Sequence, residues 1–261
     1  MTEPPEHAQK NISELLVAKA SAHGTLLAGD RKAIRSIDFR TQVIEAGKDI
    51  VRQGERPDAS VFVLSGMLAR YHTLPSGERQ YISYHIAGDM PDVQSLFLDV
   101  MDHSVCALTE VAVALLPHDQ LCKLVLERPG VGFAFWRITL VDAAIFRQSI
   151  TNNSARPPLA RLAHFFCEQY YRAREAGLVQ GDQCSLPLSQ EQLGQTIGMS
   201  LVSVNRALQR LRQEGLVQFR AGTLQVLRWA DLSSIAGFDP LYLHVAKESE
   251  LSRTPFGTRR R

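Results

Sequence analysis

The chain is poor in the features that mark several whole classes of protein. Its four cysteines, Cys106, Cys122, Cys167 and Cys184, lie far apart and form no CxxC pair. Neither a disulfide framework nor an all-cysteine zinc site is therefore indicated. Apolar runs are short: Val111 to Pro117 (VAVALLP) falls far below the ~20 residues that span a bilayer. The opening MTEPPEHAQKN has no apolar core and no cleavage site, so no secretory signal is expected. A P-loop, a nucleophile elbow and an HExxH pair are all missing, and scattered His and Asp residues do not make an active site. The expectation is a cytoplasmic protein that is not an enzyme, carries no metal or cofactor and does not enter a membrane.

What is present is the composition of a folded domain or two. In 261 residues, 45% are hydrophobic and 21% charged, which excludes wholesale disorder, a collagen repeat and a coiled-coil rod. Charge is unevenly placed. Residues 1–150 hold 15 Lys and Arg against 18 Asp and Glu, whereas 151–261 hold 14 against 9. A basic, arginine-dominated second half suits an anionic partner, although a solvated surface gives the same numbers.

Texture divides the chain. Residues 1–38 read as a leader and a helix, with Ile12, Leu15, Leu16 and Lys19 at helical spacing. Over 39–127, short Val-, Ile-, Tyr- and Phe-rich runs alternate with turn signals such as Gln53-Gly54-Glu55, Ser65-Gly66 and Ala87-Gly88-Asp89. Their spacing of roughly 8–12 residues predicts a β-sandwich or barrel. A helix is predicted over 128–152, with Phe135, Ile138, Val141 and Ile145 on one stripe. That stripe could pack on the β-domain or pair with the same helix of a second subunit; pairing is preferred because symmetric dimers are the commonest oligomers. Asn152-Asn153-Ser154 and Pro157-Pro158 mark a hinge at 152–158. The remainder divides into a domain at 153–240 and a flexible tail at 241–261.

The most informative stretch is LSQEQLGQTIGMSLVSVNRALQRLRQE, residues 188–214. Ser189 with Gln192 three residues on is a capping-box start. Gly194 permits close approach of a second helix, and Gly198 suits a left-handed turn. Ser200 is positioned to cap the second helix, whose apolar positions are Val204, Leu208 and Leu211. Its other face carries Ser203, Asn205, Arg206, Gln209, Arg210 and Arg212, the layout of a helix that enters a major groove. Two strands around Ala221-Gly222 come next, a wing. An ordinary helical hairpin is the plain alternative, but caps, glycines, basic face and wing agree on DNA binding. The expected contacts are Ser189, Ser200, Leu201, Val202, Ser203, Asn205, Arg206 and Arg210.

A β-roll, a long helix and a winged helix in this order resemble the Crp/Fnr family of bacterial transcription regulators. The resemblance rests on Gln53-Gly54-Glu55-Arg56, Val61-Phe62-Val63-Leu64, Gly66 and Gly88-Asp89 in the first domain. In the second it rests on Glu191-Gln192-Leu193-Gly194 and Val204-Asn205-Arg206. It implies an α+β chain: a jelly-roll-like double-stranded β-roll, a dimerisation helix and a winged helix-turn-helix. It also implies a homodimer on a partly palindromic operator in double-stranded DNA, in contact with RNA polymerase.

Departures from the family pattern concern the effector. Nucleotide-binding members carry a Gly-Glu pair for the ribose and an Arg-Ser pair for the cyclic phosphate. The matching positions here are Asp92-Val93 and His103-Ser104, of which only Ser104 suits a phosphate. These four residues are the effector-pocket candidates, and cyclic AMP is not expected to control the protein. The iron–sulfur branch needs N-terminal cysteines, and the first here is Cys106. His103-x-x-Cys106 and His164-x-x-Cys167 could suggest a metal, but packed side chains are the default reading. Cys184 is either a redox-sensitive thiol or an inert loop residue. In the recognition helix Leu201 and Val202 are apolar where the family often has Arg or Val, then Glu, while Arg206 matches its guanine-reading arginine. The alternative function is a small-molecule-sensing module whose C-terminal domain engages a protein.

Overall fold

A computed structural model describes residues 6–245. The leader's first five residues and the tail beyond Val245, including Arg260, lie outside the described residues. Two helices, α1 (Glu6–His23) and α2 (Ala28–Arg35), precede seven strands: β1 (Arg40–Ile44), β2 (Asp49–Val51), β3 (Ala59–Ser65), β4 (Leu68–Thr73), β5 (Arg79–His85), β6 (Ser104–Ala107) and β7 (Val111–Pro117). The strands form one sheet in the order β1-β7-β3 and another in the order β2-β6-β4-β5. Helices α3 (His118–Glu127), α4 (Pro129–Ala155) and α5 (Pro158–Glu175) come after them.

Strands β3 and β7 of the three-stranded sheet are buried on both faces, and strand periodicity decides which core each residue joins. Val61, Val63, Val111 and Val113 face a core shared with Val51, Leu68, Met101 and Val105. Their neighbours Phe62, Ala114 and Leu116 face the opposite way, into a core built with α1, α2, α3 and α4. This two-sided burial accounts for the apolar run VAVALLP.

From α4 that second core takes Val131, Ala134, Phe135 and Ile138. Of the stripe expected to face a second subunit, Phe135 and Ile138 instead pack within the chain's own core, 4% and 7% exposed. Val141 and Ile145 are half-buried. The exposed side of the same helix carries Phe133, Trp136, Leu140 and Ile150 instead. By length and composition α4 is apolar enough to cross a membrane, yet its Val131–Ile138 side lies in the core.

Asn152, Asn153 and Ser154 do not break α4, which continues to Ala155. Their polar side chains find carbonyl partners: Asn152 Nδ2 donates to Arg161 O, Asn153 Nδ2 to Thr196 O and Ser154 Oγ to Ile150 O. Only Arg156 and Pro157 separate α4 from α5. Two compact units can be distinguished among the described residues. One comprises the residues up to Leu68 with His85–Asp142, and the other Ala69–Tyr84 with Ala143–Leu243. The division falls inside α4 at 142/143, and the β4–β5 hairpin goes with the C-terminal unit.

In that unit α5 buries His164, Phe166, Cys167, Glu168 and Tyr170. Beyond it lie β8 (Gln183–Ser185), α6 (Gln190–Ile197), α7 (Leu201–Gln213), β9 (Val217–Arg220), β10 (Thr223–Val226) and α8 (Trp229–Ala236). Burial holds His164 neutral, its pKa pushed down to about 4 from an ordinary value near 6.5. Such a histidine takes up its proton more readily once unfolded, so its stabilising effect is complete above pH ~6.5 and is lost as pH falls towards 4. Thermal melts between pH 7 and 4.5 should show a steady loss of stability, on the order of 3 kcal/mol from this residue. His164→Gln should reduce that slope without abolishing it, because burial also pushes the His23 pKa down, to about 3; an unchanged slope would assign it to other groups.

Candidate nucleic-acid interface

Local chemistry builds the helix pair. Ser189 Oγ accepts from Gln192 N at 3.1 Å while Gln192 Oε1 accepts from Ser189 N at 2.8 Å, the reciprocal capping box that starts α6. Gly198 ends α6 at φ 62°, ψ 45°, a left-handed conformation that side chains disfavour. Gly194 admits the turn, since a Cβ there would lie 2.6 Å from Met199 O. Ser200 Oγ accepts from Ser203 N at 3.2 Å to start α7. Val204, Leu208 and Leu211 of α7 are buried against the domain.

The remaining face of α7 is exposed. Leu201 and Val202 are 51% and 59% exposed at its first turn, with Arg206, Gln209 and Arg210 beyond them and Ser203 and Asn205 half-buried. Among the described residues Arg206 has no ion pair or hydrogen bond to another side chain, whereas Arg210 Nε is 2.8 Å from Glu214 Oε1. Arg206 thus presents its planar fork outward, the group that reads guanine O6 and N7. Leu201 and Val202 offer apolar surface of the kind that meets a thymine methyl.

The wing is a three-stranded sheet, β8-β10-β9. Arg220 pairs with Thr223 across Ala221 and Gly222, both with positive φ, as a two-residue hairpin turn requires. Two arginines tie this wing to α7. Arg212 donates to Phe219 O, and Arg228 to Glu214 O at 2.5 Å. Arg212, expected on the outer face of α7, therefore has a structural partner. Strand β8 adds to the two strands that the sequence predicts for the wing. It is three residues long, and only Cys184, opposite Leu224, marks its buried side. Burial pushes the Cys184 thiol up to about 11, away from the thiolate that a reactive cysteine needs.

The effector-pocket candidates are engaged by the chain itself. Asp92 is fully buried, and its Oδ1 accepts from Val61 N at 2.7 Å. Val93 joins the core beneath α1 to α4. His103 Nδ1 is 2.6 Å from Asp102 Oδ1, and Ser104 Oγ accepts from Gln53 N at 3.0 Å. Both His-x-x-Cys pairs are buried, His103 with Cys106 and His164 with Cys167, and burial pushes the Cys167 thiol up to about 12.

A sandwich of two small sheets, a long helix and a winged helix-turn-helix with a basic outer face define a DNA-binding transcription regulator. Residues 41–128 match the Cyclic nucleotide-binding domain family and residues 160–235 the Crp-like helix-turn-helix domain family. The chain belongs to the Crp/Fnr family. It is similar to the transcriptional activator protein Anr of Pseudomonas protegens, 24% identical over 240 residues, 91% of this chain and 98% of that protein. It is also similar to the nitrogen fixation regulation protein FixK of Rhizobium meliloti, 26% identical over 195 residues, 72% of this chain and 83% of that protein. The solved structure of FixK2 from Bradyrhizobium japonicum superposes with a TM-score of 0.70 at 21% identity. It covers 76% of this chain and 98% of that one.

Truncating Arg206 tests the interface directly. In a binding-site selection, Arg206→Ala should lose discrimination at the base pair that Arg206 reads, costing roughly 1–3 kcal/mol per contact. An unchanged preference at every position would make Arg206 a phosphate clamp and put a different face of α7 in the groove.

Proposed function

We propose that the chain acts as a homodimer that binds a partly palindromic operator through α7 and is not controlled by a cyclic nucleotide. The outward fork of Arg206 beside exposed Leu201 and Val202 carries the DNA reading. The basic balance of the C-terminal half favours DNA over a protein partner for this domain. Contact with RNA polymerase and a cytoplasmic location accord with the family. Relatives such as Anr bear the name of transcriptional activators.

The dimer reading rests on the exposed side of α4. Trp136 and Leu140 are 57% and 49% exposed. They adjoin an apolar groove of about 370 Å³ lined by Phe97, Val125, Pro129, Gly132, Phe133, Trp136 and Thr139. Exposed apolar patches of this kind mark association sites, and in this reading a second copy of the chain covers the groove. A charge at Trp136 would be buried without a partner in the dimer, which is strongly unfavourable, while in the monomer it would face solvent. Sedimentation of Trp136→Glu should therefore shift towards monomer with the fold intact. A fully dimeric variant at micromolar concentration would move the interface elsewhere.

Effector independence rests on Asp92 and Val93. A ribose hydroxyl needs an acceptor at Val93, and a cyclic phosphate needs donors where the Asp92 carboxylate holds the Val61 N–H. Calorimetry with cyclic AMP and cyclic GMP should give no heat of binding at micromolar concentrations. A stoichiometric, tight heat with either nucleotide would sink this reading.

A further inference from the structure

The last carbonyls of an α-helix have no partner within the helix and must be satisfied from outside. At the end of α6 each of them has one. Gly194 O accepts from the backbone of Gly198 and Met199. The next four carbonyls are each met by a side chain. Gln80 Nε2 donates to Gln195 O at 2.6 Å, and Asn153 Nδ2 to Thr196 O at 3.0 Å. Arg161 Nη1 donates to Ile197 O at 3.3 Å and Gly198 O at 3.1 Å, while its Nη2 reaches Arg156 O at 3.0 Å. Tyr84 adds a contact of 2.5 Å between its hydroxyl and Thr196 Oγ1. Gln80 and Tyr84 lie on β5, Asn153 near the end of α4 and Arg161 on α5. Two stretches far apart in sequence, β5 and the α4–α5 junction, thus converge on one helix end.

That end lies beside the turn that aims the reading helix. Only Gly198, Met199 and Ser200 separate α6 from α7. Two further properties make the arrangement directional. The carbonyl end of a helix carries partial negative charge, which the Arg161 guanidinium complements. The Arg161 fork also bridges the end of α6 and the α4–α5 link, so neither moves without breaking a charge-assisted hydrogen bond.

We propose that Gln80, Asn153 and Arg161 are positioning residues for DNA recognition: together they clamp the carbonyl end of α6 and so set the direction in which α7 is presented. They touch no base. Their effect passes through the turn, and it falls on discrimination between sequences more than on general attraction to DNA. The clamp deepens the DNA-binding reading above and rests on it for its consequence, though not for its existence.

Two isosteric or charge-conserving variants test it in the full chain. Gln80→Glu turns the donor to Gln195 O into an acceptor, and Arg161→Lys keeps the charge but loses the fork. In the free protein, hydrogen exchange at the Gly198 and Met199 amides should accelerate about fivefold in each variant, the effect of one lost hydrogen bond. Exchange in β9 and β10 should not change. Preference for the selected operator over random DNA should also fall about fivefold, with the salt dependence of binding unaltered. Unchanged exchange at the turn would overturn the clamp. Faster exchange with full operator preference would overturn its positioning role. Equal losses on both DNAs for Arg161→Lys would make Arg161 a general DNA contact and overturn its assignment here. If the unmodified chain selects no operator, the DNA reading fails, and the exchange result alone still judges the clamp.

Discussion

The two-sided burial of β3 and β7 is the constraint that shapes the first unit. A sheet with one wet face needs a single apolar layer, but this one needs two, and strand parity assigns each residue to one of them. Val61, Val63, Val111 and Val113 serve the sandwich, while Phe62, Ala114 and Leu116 must be covered by helices. Helix α4 meets part of that demand with Val131, Ala134, Phe135 and Ile138. Its orientation is fixed by what it covers, and the residues on its exposed side are fixed with it.

This dependence explains which features are legible in the sequence and which are not. The helix-turn-helix is legible because its determinants are local. Ser189 and Gln192 are three residues apart, Gly194 clears the next turn, Gly198 takes the left-handed position, and Ser200 caps the reading helix. Each signal acts within a turn or two of itself. The strands of the roll are legible through their apolar texture and turn spacing for the same reason.

Helix α4 shows the limit. It is apolar over much of its circumference, so periodicity marks Phe135 and Ile138 as readily as Trp136 and Leu140 and does not say which set meets the chain's own sheet. Asn152 and Asn153 have the composition of a helix terminus, yet they stay helical because the carbonyls of Arg161 and Thr196 accept hydrogen bonds from their side chains. Gln80 carries no sequence signal at all, since its role exists only once β5 and α6 meet. Tertiary partners override propensity at each of these places.

The state of the Asp92-Val93 segment also bears on how such a protein changes over evolutionary time. A vacant pocket could gain a ligand by one substitution that adds a contact. Here the space is occupied: Val93 contributes to the helix-covered core, and Asp92 holds the backbone of β3 through Val61. Returning a glutamate to position 93 would place a carboxylate among apolar side chains, and replacing Asp92 would leave a buried N–H unmet. Acquiring nucleotide contacts at this segment would therefore pass through less stable intermediates. Folding stability thereby holds these two residues in place whatever the regulatory signal is.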